Sequence, residues 1–367
     1  MSNPVPTAPS TAVPLLIGTY TEALPHVHGA AEGILGADFD QADGTLSPVR
    51  LLAATRNPSW VAVDPSGAVV YAVDETEKGG VAAFSRGADR TGEPLTALGG
   101  RTSGGADPCH LLVHPGGRFV VVANYSSGTV AVLPRDPDGS LGEPVSEVRP
   151  DGSGPHPQRQ QGPHAHMVAL DPVTGLLLVA DLGRDAVSGY ALDEEGRLTP
   201  APEASIALPP GTGPRHLVFS PDGGRLYVIG ELTSTVTVLA RAADGVGFRA
   251  TGSHSTLPAD HSGHSEAAAI RITASGRLLF ASNRGHDSIA VFRIDPADGS
   301  LALAAVEPAR GRSPRDLQLS PDGRFLLTAC QDEGGVQVFA VDEDAATLTH
   351  RHHAPVPTPV CLAFASN

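Results

Sequence analysis

Lysine is almost missing from this chain: Lys78 stands alone among 367 residues. That leaves little room for Schiff-base chemistry or for a phosphate-binding loop of the Gly-Lys-Ser/Thr kind. Cysteine is nearly as scarce. Cys109, Cys330 and Cys361 are odd in number and lack metal-ligand spacing, so neither a disulfide framework nor a zinc site is indicated and all three read as small buried residues. Long apolar runs are absent too, and the opening fourteen residues have neither a basic start nor an apolar stretch. With no segment that spans a bilayer or directs secretion, the expectation is a cytoplasmic protein without membrane partners. Basic residues number 25 against 40 acidic ones, a formal net charge of −15, which argues against a broad surface for nucleic acid. No Gly-x-Ser-x-Gly elbow occurs, so the many Ser, His and Asp residues do not add up to a serine hydrolase.

What the chain does have is glycine and proline, 42 and 33 residues, with 18% charged residues. This composition suits short strands joined by tight turns. A repeat of roughly fifty residues confirms the impression. Its clearest copies are Asn57-Pro-Ser-Trp-Val-Ala-Val-Asp-Pro-Ser-Gly67, Asp107-Pro-Cys-His-Leu-Leu-Val-His-Pro-Gly-Gly117, Gly213-Pro-Arg-His-Leu-Val-Phe-Ser-Pro-Asp-Gly223 and Ser313-Pro-Arg-Asp-Leu-Gln-Leu-Ser-Pro-Asp-Gly323, with looser copies at Gly162 to Thr174 and Gly263 to Gly276. Each is an apolar strand, a turn and a second apolar strand, followed by a third such as Thr129 to Leu133 and a more polar fourth. Four antiparallel strands form one propeller blade. Six copies leave the two ends over, and these complement each other. Thr358 to Phe364 reads as a first strand, Leu16 to Thr19 as a second, Gly33 to Phe39 as a third and the stretch near Leu51 as the outer one. The expectation is an all-β, seven-bladed β-propeller over residues 14–367, closed by pairing the two ends in one blade, after a disordered lead over 1–13.

A hairpin brings the start of its first strand beside the end of its second, so both positions in every blade ring one mouth of the channel. First-strand positions are Ser59, Cys109, His166, Arg215, Ala268 and Arg315; the second-strand ends are read as Asp74, Asn124, Asp181, Glu231, Asn283 and Cys330. His110, His164, His216, Glu266, Arg284 and His286 are close neighbours. Asp and Asn are depleted in strands, so this collar is more polar than strand propensity selects and points to a binding site. Arg215, Arg284 and Arg315 gathered at one mouth of an acidic protein would repel one another unless carboxylates or a bound anion lay among them. His164 and His166 share a strand face, yet no further ligand follows at a fixed distance, and neither metal nor cofactor is expected.

Ile17-Gly-Thr-Tyr20, Gly213-Pro-Arg-His-Leu-Val-Phe219, Gly230-Glu-Leu232, Ser282-Asn-Arg-Gly-His-Asp-Ser288 and Ser313-Pro-Arg315 resemble the lactonase family of seven-bladed propellers, which includes propeller-type 6-phosphogluconolactonases and fungal carboxy-cis,cis-muconate cyclases. The most specific element is Arg215 with Glu231 sixteen residues on, flanked by His166 one blade earlier and Arg284 one blade later. The resemblance implies hydrolysis of a small, acidic lactone, with His166, Arg215, Glu231 and Arg284 as catalytic residues. It further implies His164, His110, Asn124, Asp181, His216, Asn283, His286 and Arg315 as substrate contacts. A histidine at both 164 and 166, after a Gly-, Pro- and Gln-rich loop at Asp151 to Gln161, departs from the family pattern and leaves open which histidine enters the cleft and whether the loop is a lid. Three alternatives stand beside hydrolysis: muconate-type cyclisation, a non-catalytic binding propeller, and a Ca²⁺-dependent lactonase using Glu231, Asn283, Asn124 and Asp181. A monomer or weak homo-oligomer is expected.

Overall fold

In the computed structural model, which describes residues 12–87 and 94–365, successive chain segments fold into seven antiparallel sheets arranged as a ring. Blade one comprises Val61–Val63, Val69–Asp74, Gly80–Ser85 and Thr96–Thr102, from the channel outward. Blade two comprises Pro108–Val113, Phe119–Asn124, Thr129–Pro134 and Ser146–Val148. Blade three comprises Ala165–Leu170, Leu177–Asp181, Ala186–Leu192 and Leu198–Pro200, with Ile206–Ala207 as an extra edge piece. Blades four to six begin at Pro214–Phe219, Glu266–Ile272 and Arg312–Leu319 and each add three more strands.

Blade seven joins the chain ends. Pro359–Phe364 lies innermost, paired with Ala12–Thr19, and Gly33–Asp40 and Arg50–Ala54 complete the sheet. Leu362 sits opposite Ile17 and Phe364 opposite Leu15. The order expected from the two half-motifs is the one found. The lead expected over 1–13 lies outside the described residues as far as residue 11, and the strand itself begins at Ala12.

Second strands read as unbroken apolar runs because both of their faces are covered by neighbouring blades. Val120, Val121, Val122 and Ala123 are all fully buried. Among the described residues, seven apolar clusters are each shared by two adjacent blades, and a small eighth one gathers Tyr20, Val27 and Val360. Val69, Tyr71 and Val73 of blade one pack with Leu111, Val120 and Val122 of blade two, and Leu15, Ile17 and Leu362 of blade seven pack with Leu327 and Val336 of blade six. Stability therefore depends on the ring being closed, since an open ring exposes two such faces. At the mouth away from the site, the Pro-Asp-Gly turns need a residue at positive φ, and Gly223 supplies it at φ 68°.

The opposite mouth is set by a repeated backbone device. The residue two before the first-strand position holds its carbonyl toward the residue that follows the second strand. Thus Glu231 N donates to Gly213 O at 2.8 Å, Tyr125 N to Asp107 O at 2.9 Å, Leu182 N to His164 O at 3.0 Å, and Glu75 N to Asn57 O and Tyr20 N to Thr358 O at 3.2 Å each. Four of these acceptors precede a proline and take left-handed backbone: Asn57, Asp107, Gly213 and Thr358 have φ of 36°, 53°, 62° and 40°. For β-branched Thr358 that is strained geometry, held by its neighbours. Its hydroxyl is tied to Tyr20 O at 2.7 Å.

Candidate active site

The ring positions come in pairs sixteen residues apart. Val360 pairs across the closure with Tyr20, and then follow Ser59 with Glu75, Cys109 with Tyr125, His166 with Leu182, Arg215 with Glu231, Ala268 with Arg284 and Arg315 with Gln331. Eight of them, Glu75, Cys109, Tyr125, His166, Glu231, Arg284, Arg315 and Gln331, line a cavity of about 720 Å³, and a narrow extension of it is bounded by Ser59, Trp60, Arg215 and His216.

One pole of the cavity is a guanidinium cluster on a single carboxylate. Glu231 has a side chain 2% exposed and takes Arg215 Nε at 3.0 Å and Arg284 Nη2 at 2.9 Å on one oxygen, while Arg159 Nη2 lies against the other. Burial alone would raise the Glu231 pKa, but Arg284, Arg215 and Arg159 outweigh it and hold the carboxyl well below the usual range. Arg215, with Nη1 donating to Ala268 O at 2.7 Å, is pulled down to about 9 by burial and by Arg284 and Arg315. Arg284 Nε has no hydrogen-bond partner among the described residues, whereas its Nη2 is held in the ion pair with Glu231.

His166 lines the wall between the cavity and its extension. Burial, reinforced by Arg215, keeps its pKa well below 6.5, and the ring is neutral at neutral pH. Its Nδ1 has no hydrogen-bond partner among the described residues. Beneath it lie His216 at 5.3 Å between ring centroids and His110, 6.0 Å from His216 and 4.2 Å from the Trp60 ring.

A second pole faces the first. Glu75, 7% exposed, accepts the Tyr20 hydroxyl at 2.7 Å and the Ser59 hydroxyl on its other oxygen. Arg315 donates to Tyr20 Oη and to Gln331 Oε1, at 3.1 Å each. Burial raises the Glu75 pKa despite Arg315. His26, on the tip of a small hairpin made by Ala23–Leu24 and Val27–His28, is pushed down to about 4 by burial and by Arg315.

Over residues 14–364 the chain matches the family model described as "Lactonase, 7-bladed beta-propeller". The protein belongs to this lactonase family. A Bacillus subtilis relative named 6-phosphogluconolactonase is 36% identical over 350 residues, 95% of this chain and 97% of the relative. Among solved structures, a Pseudomonas aeruginosa periplasmic gluconolactonase superposes with a TM-score of 0.89 at 33% identity, covering 97% of this chain and 99% of the other. A Lactobacillus plantarum protein does so with 0.88 at 33% identity, covering 96% and 99%.

Within this lactonase fold, the residues expected at the site divide into two groups. His166, Arg215, Glu231, Arg284 and Arg315 converge on the cavity or its extension. Of the two histidines left open, His166 reaches the cavity, whereas His164 stacks on Tyr125 at 4.6 Å and directs Nδ1 to Tyr125 O at 2.9 Å. His110 and His216 are buried below, His216 bordering only the extension. The other four do not line the cavity. Asn124 Nδ2 donates to Ser103 O at 2.9 Å, and Asn283 Nδ2 to Thr256 O at 3.0 Å. Asp181 accepts the backbone N–H of His164 at 2.8 Å and of Gly183 at 3.1 Å, and His286 pairs with Ser288 Oγ at 2.7 Å. The Ca²⁺ ligand set of the rival reading is thus dispersed, and no group of three or more His, Cys, Asp or Glu among the described residues is placed to hold a metal ion. Nor is any helix among them long and apolar enough to cross a membrane.

Five of the second-strand ends expected from the sequence fall one residue before the position that faces the cavity mouth. Asp74, Asn124 and Asp181 close their strands, Asn283 stands one residue and Cys330 three residues before the end of theirs, and in each case the chain's next residue, Glu75, Tyr125, Leu182, Arg284 or Gln331, occupies the position that Glu231 holds in blade four. Strand side chains alternate, so a slip of one turns the assignment from the cavity to a lateral face. The constant interval of sixteen was the signal available. Arg159 and His26 carry no such signal, because they come from connections outside the repeat.

Proposed function

We propose that this lactonase hydrolyses a small lactone bearing an anionic group, of the 6-phosphogluconolactone type. The observation that carries the reading is the pairing, in one cavity, of a neutral buried histidine with three guanidinium groups on one carboxylate. Water attacking the ring carbonyl must lose a proton. Neutral His166 accepts it, and the imidazolium forms as the carbonyl oxygen becomes negative, so the two new charges offset each other; as the tetrahedral intermediate collapses, the ring C–O bond breaks and His166 returns the proton to the departing ring oxygen. Arg215 supplies donors fixed before the reaction begins, and fixed donors stabilise an oxyanion without reorganisation. Glu231 is the positioning residue of this scheme. Its carboxylate is fully engaged and its proton affinity is depressed, so it holds the arginines together and is not the base. Around Glu231 the guanidinium groups of Arg159, Arg215 and Arg284 outnumber the carboxylates of Glu231 and Glu266, and that local excess favours an anionic group at this pole. Cytoplasmic location is part of the proposal.

The test is a hydrolysis panel of 6-phosphoglucono-δ-lactone, glucono-δ-lactone and carboxylated muconolactones, followed by proton release with and without chelator. Preference for a phosphorylated or carboxylated lactone, unaffected by chelator, is expected. Turnover of neutral lactones alone refutes the anionic substrate, and ring closure of a muconate without hydrolysis refutes the direction.

A further inference from the structure

Arg159 and Arg284 share the same two carboxylates. Arg159 Nη1 lies 2.6 Å from Glu266 Oε1 and its Nη2 touches Glu231 Oε1; Arg284 Nη2 lies 2.9 Å from Glu231 Oε2 and 3.5 Å from Glu266 Oε2. With Arg215, three cations face two anions. The three differ in exposure and origin. Arg215 and Arg284 stand on strands of blades four and five with side chains 3% and 15% exposed, whereas Arg159, 30% exposed, arrives from the connection between blades two and three.

That connection is braced. Gln160, 1% exposed, donates through Nε2 to Leu182 O and Asp185 Oδ1, at 2.8 Å each, and accepts His156 N–H at 3.0 Å. Its backbone N and O bond His156 O and Gly154 N, both at 3.0 Å. Arg159 N itself donates to His156 Nδ1 at 3.2 Å. A long cationic side chain on an anchored backbone is arranged as a preorganised arm.

We propose that Arg159 is the specificity-determining residue of the cavity, and that its guanidinium fork, with Arg284, receives the substrate's anionic group. This rests on the reading of the cavity as an anionic-lactone site. On binding, a phosphate monoester or carboxylate takes the place of Glu266 on Arg159. Glu266, 24% exposed, can be hydrated when released, whereas Glu231 at 2% cannot. Arg215 and His166, deeper in the cavity, are left to the lactone carbonyl. A neutral sugar lactone cannot displace Glu266, so Arg159 separates charged from uncharged substrates and contributes little to the chemical step.

Wild type, Arg159→Lys and Arg159→Ala are compared in steady-state hydrolysis of 6-phosphoglucono-δ-lactone, a carboxymuconolactone and glucono-δ-lactone, and in calorimetric binding of 6-phosphogluconate and gluconate. Arg159→Ala is expected to raise KM for the phosphorylated lactone about tenfold or more, the loss of one charge-assisted pair, with kcat changed little. Arg159→Lys falls between, the neutral lactone is unaffected, and 6-phosphogluconate affinity drops in parallel. Dependence on the carboxylated lactone alone assigns the fork to carboxylate instead. Equal losses on charged and neutral lactones, or none on either charged one, overturn the proposal. Should wild type turn over no lactone yet bind 6-phosphogluconate through Arg159, the activity reading fails and this inference stands. If wild type binds 6-phosphogluconate no more tightly than gluconate and shows no preference for either charged lactone, the inference falls.

Discussion

Three neutral histidines packed under the active site should make the protein sensitive to mild acid. His110, His166 and His216 are 4%, 6% and 2% exposed. Hydrogen bonding agrees with neutrality: Val168 N–H donates to His110 Nδ1 at 3.4 Å, and Arg215, which can only donate, lies 3.4 Å from His216 Nε2. Burial, with Arg271 and Arg215 nearby, pushes His110 down to about 3, and burial with Arg215 holds the other two well below 6.5. Such a group is neutral in both states above the unfolded value. Below about pH 6.5 the unfolded chain takes up a proton that the fold refuses, so stability falls as pH falls through that value and continues to fall toward the folded pKa. Each histidine costs about 1.4 kcal/mol one pH unit below 6.5, hence about 4 kcal/mol for the three at about pH 5.5. For a chain of this length that is roughly 5 °C in Tm. Glu75 and Asp316, whose burial raises their pKa, act in the opposite sense. The decisive measurement is therefore a difference. Chemical denaturation of wild type and His110→Gln at about pH 7.5 and about pH 5.5 should show the variant losing about 1.4 kcal/mol less on acidification, whatever its stability at neutral pH. Equal losses in the two proteins would refute the reasoning.

Glu231→Gln leaves Arg215 and Arg284 without their shared anion and is expected to destabilise the fold by about 3–5 kcal/mol as well as to lower kcat by about 10²-fold, read by denaturation beside kinetics; unchanged stability would show that the cluster is not self-compensating. Deleting residues 358–367 removes the innermost strand of blade seven and should abolish the cooperative unfolding transition, and a truncated chain that melts like the full-length one contradicts the closure. Dialysis against chelator should leave both activity and Tm unchanged, and a stoichiometric metal retained with loss of turnover on its removal would reverse that expectation.

The repeat, the blade count, the closure by the two ends and the Arg215–Glu231 pair were all legible in the sequence. The reason is that a propeller repeats one local hairpin, and local hairpins write their turns and apolar runs directly into the chain. Even the closure is local in kind, since each terminus carries half of the same motif. Side-chain direction at the strand ends was less legible. Asp74, Asn124 and Asn283 look like site residues by composition, yet their neighbours Glu75, Tyr125 and Arg284 face the cavity, because orientation alternates with every residue and the last hydrogen bond of the strand decides the phase. Tertiary structure alone decided four things. It brought Arg159 onto Glu231 across 72 residues and Tyr20 onto Glu75 across 55, joined Arg315 to Tyr20 across 295, and sank His110 and His216 beneath the cavity floor. Contacts between blades and from the connecting loops carry no period in sequence, so only the closed ring determines which charges meet.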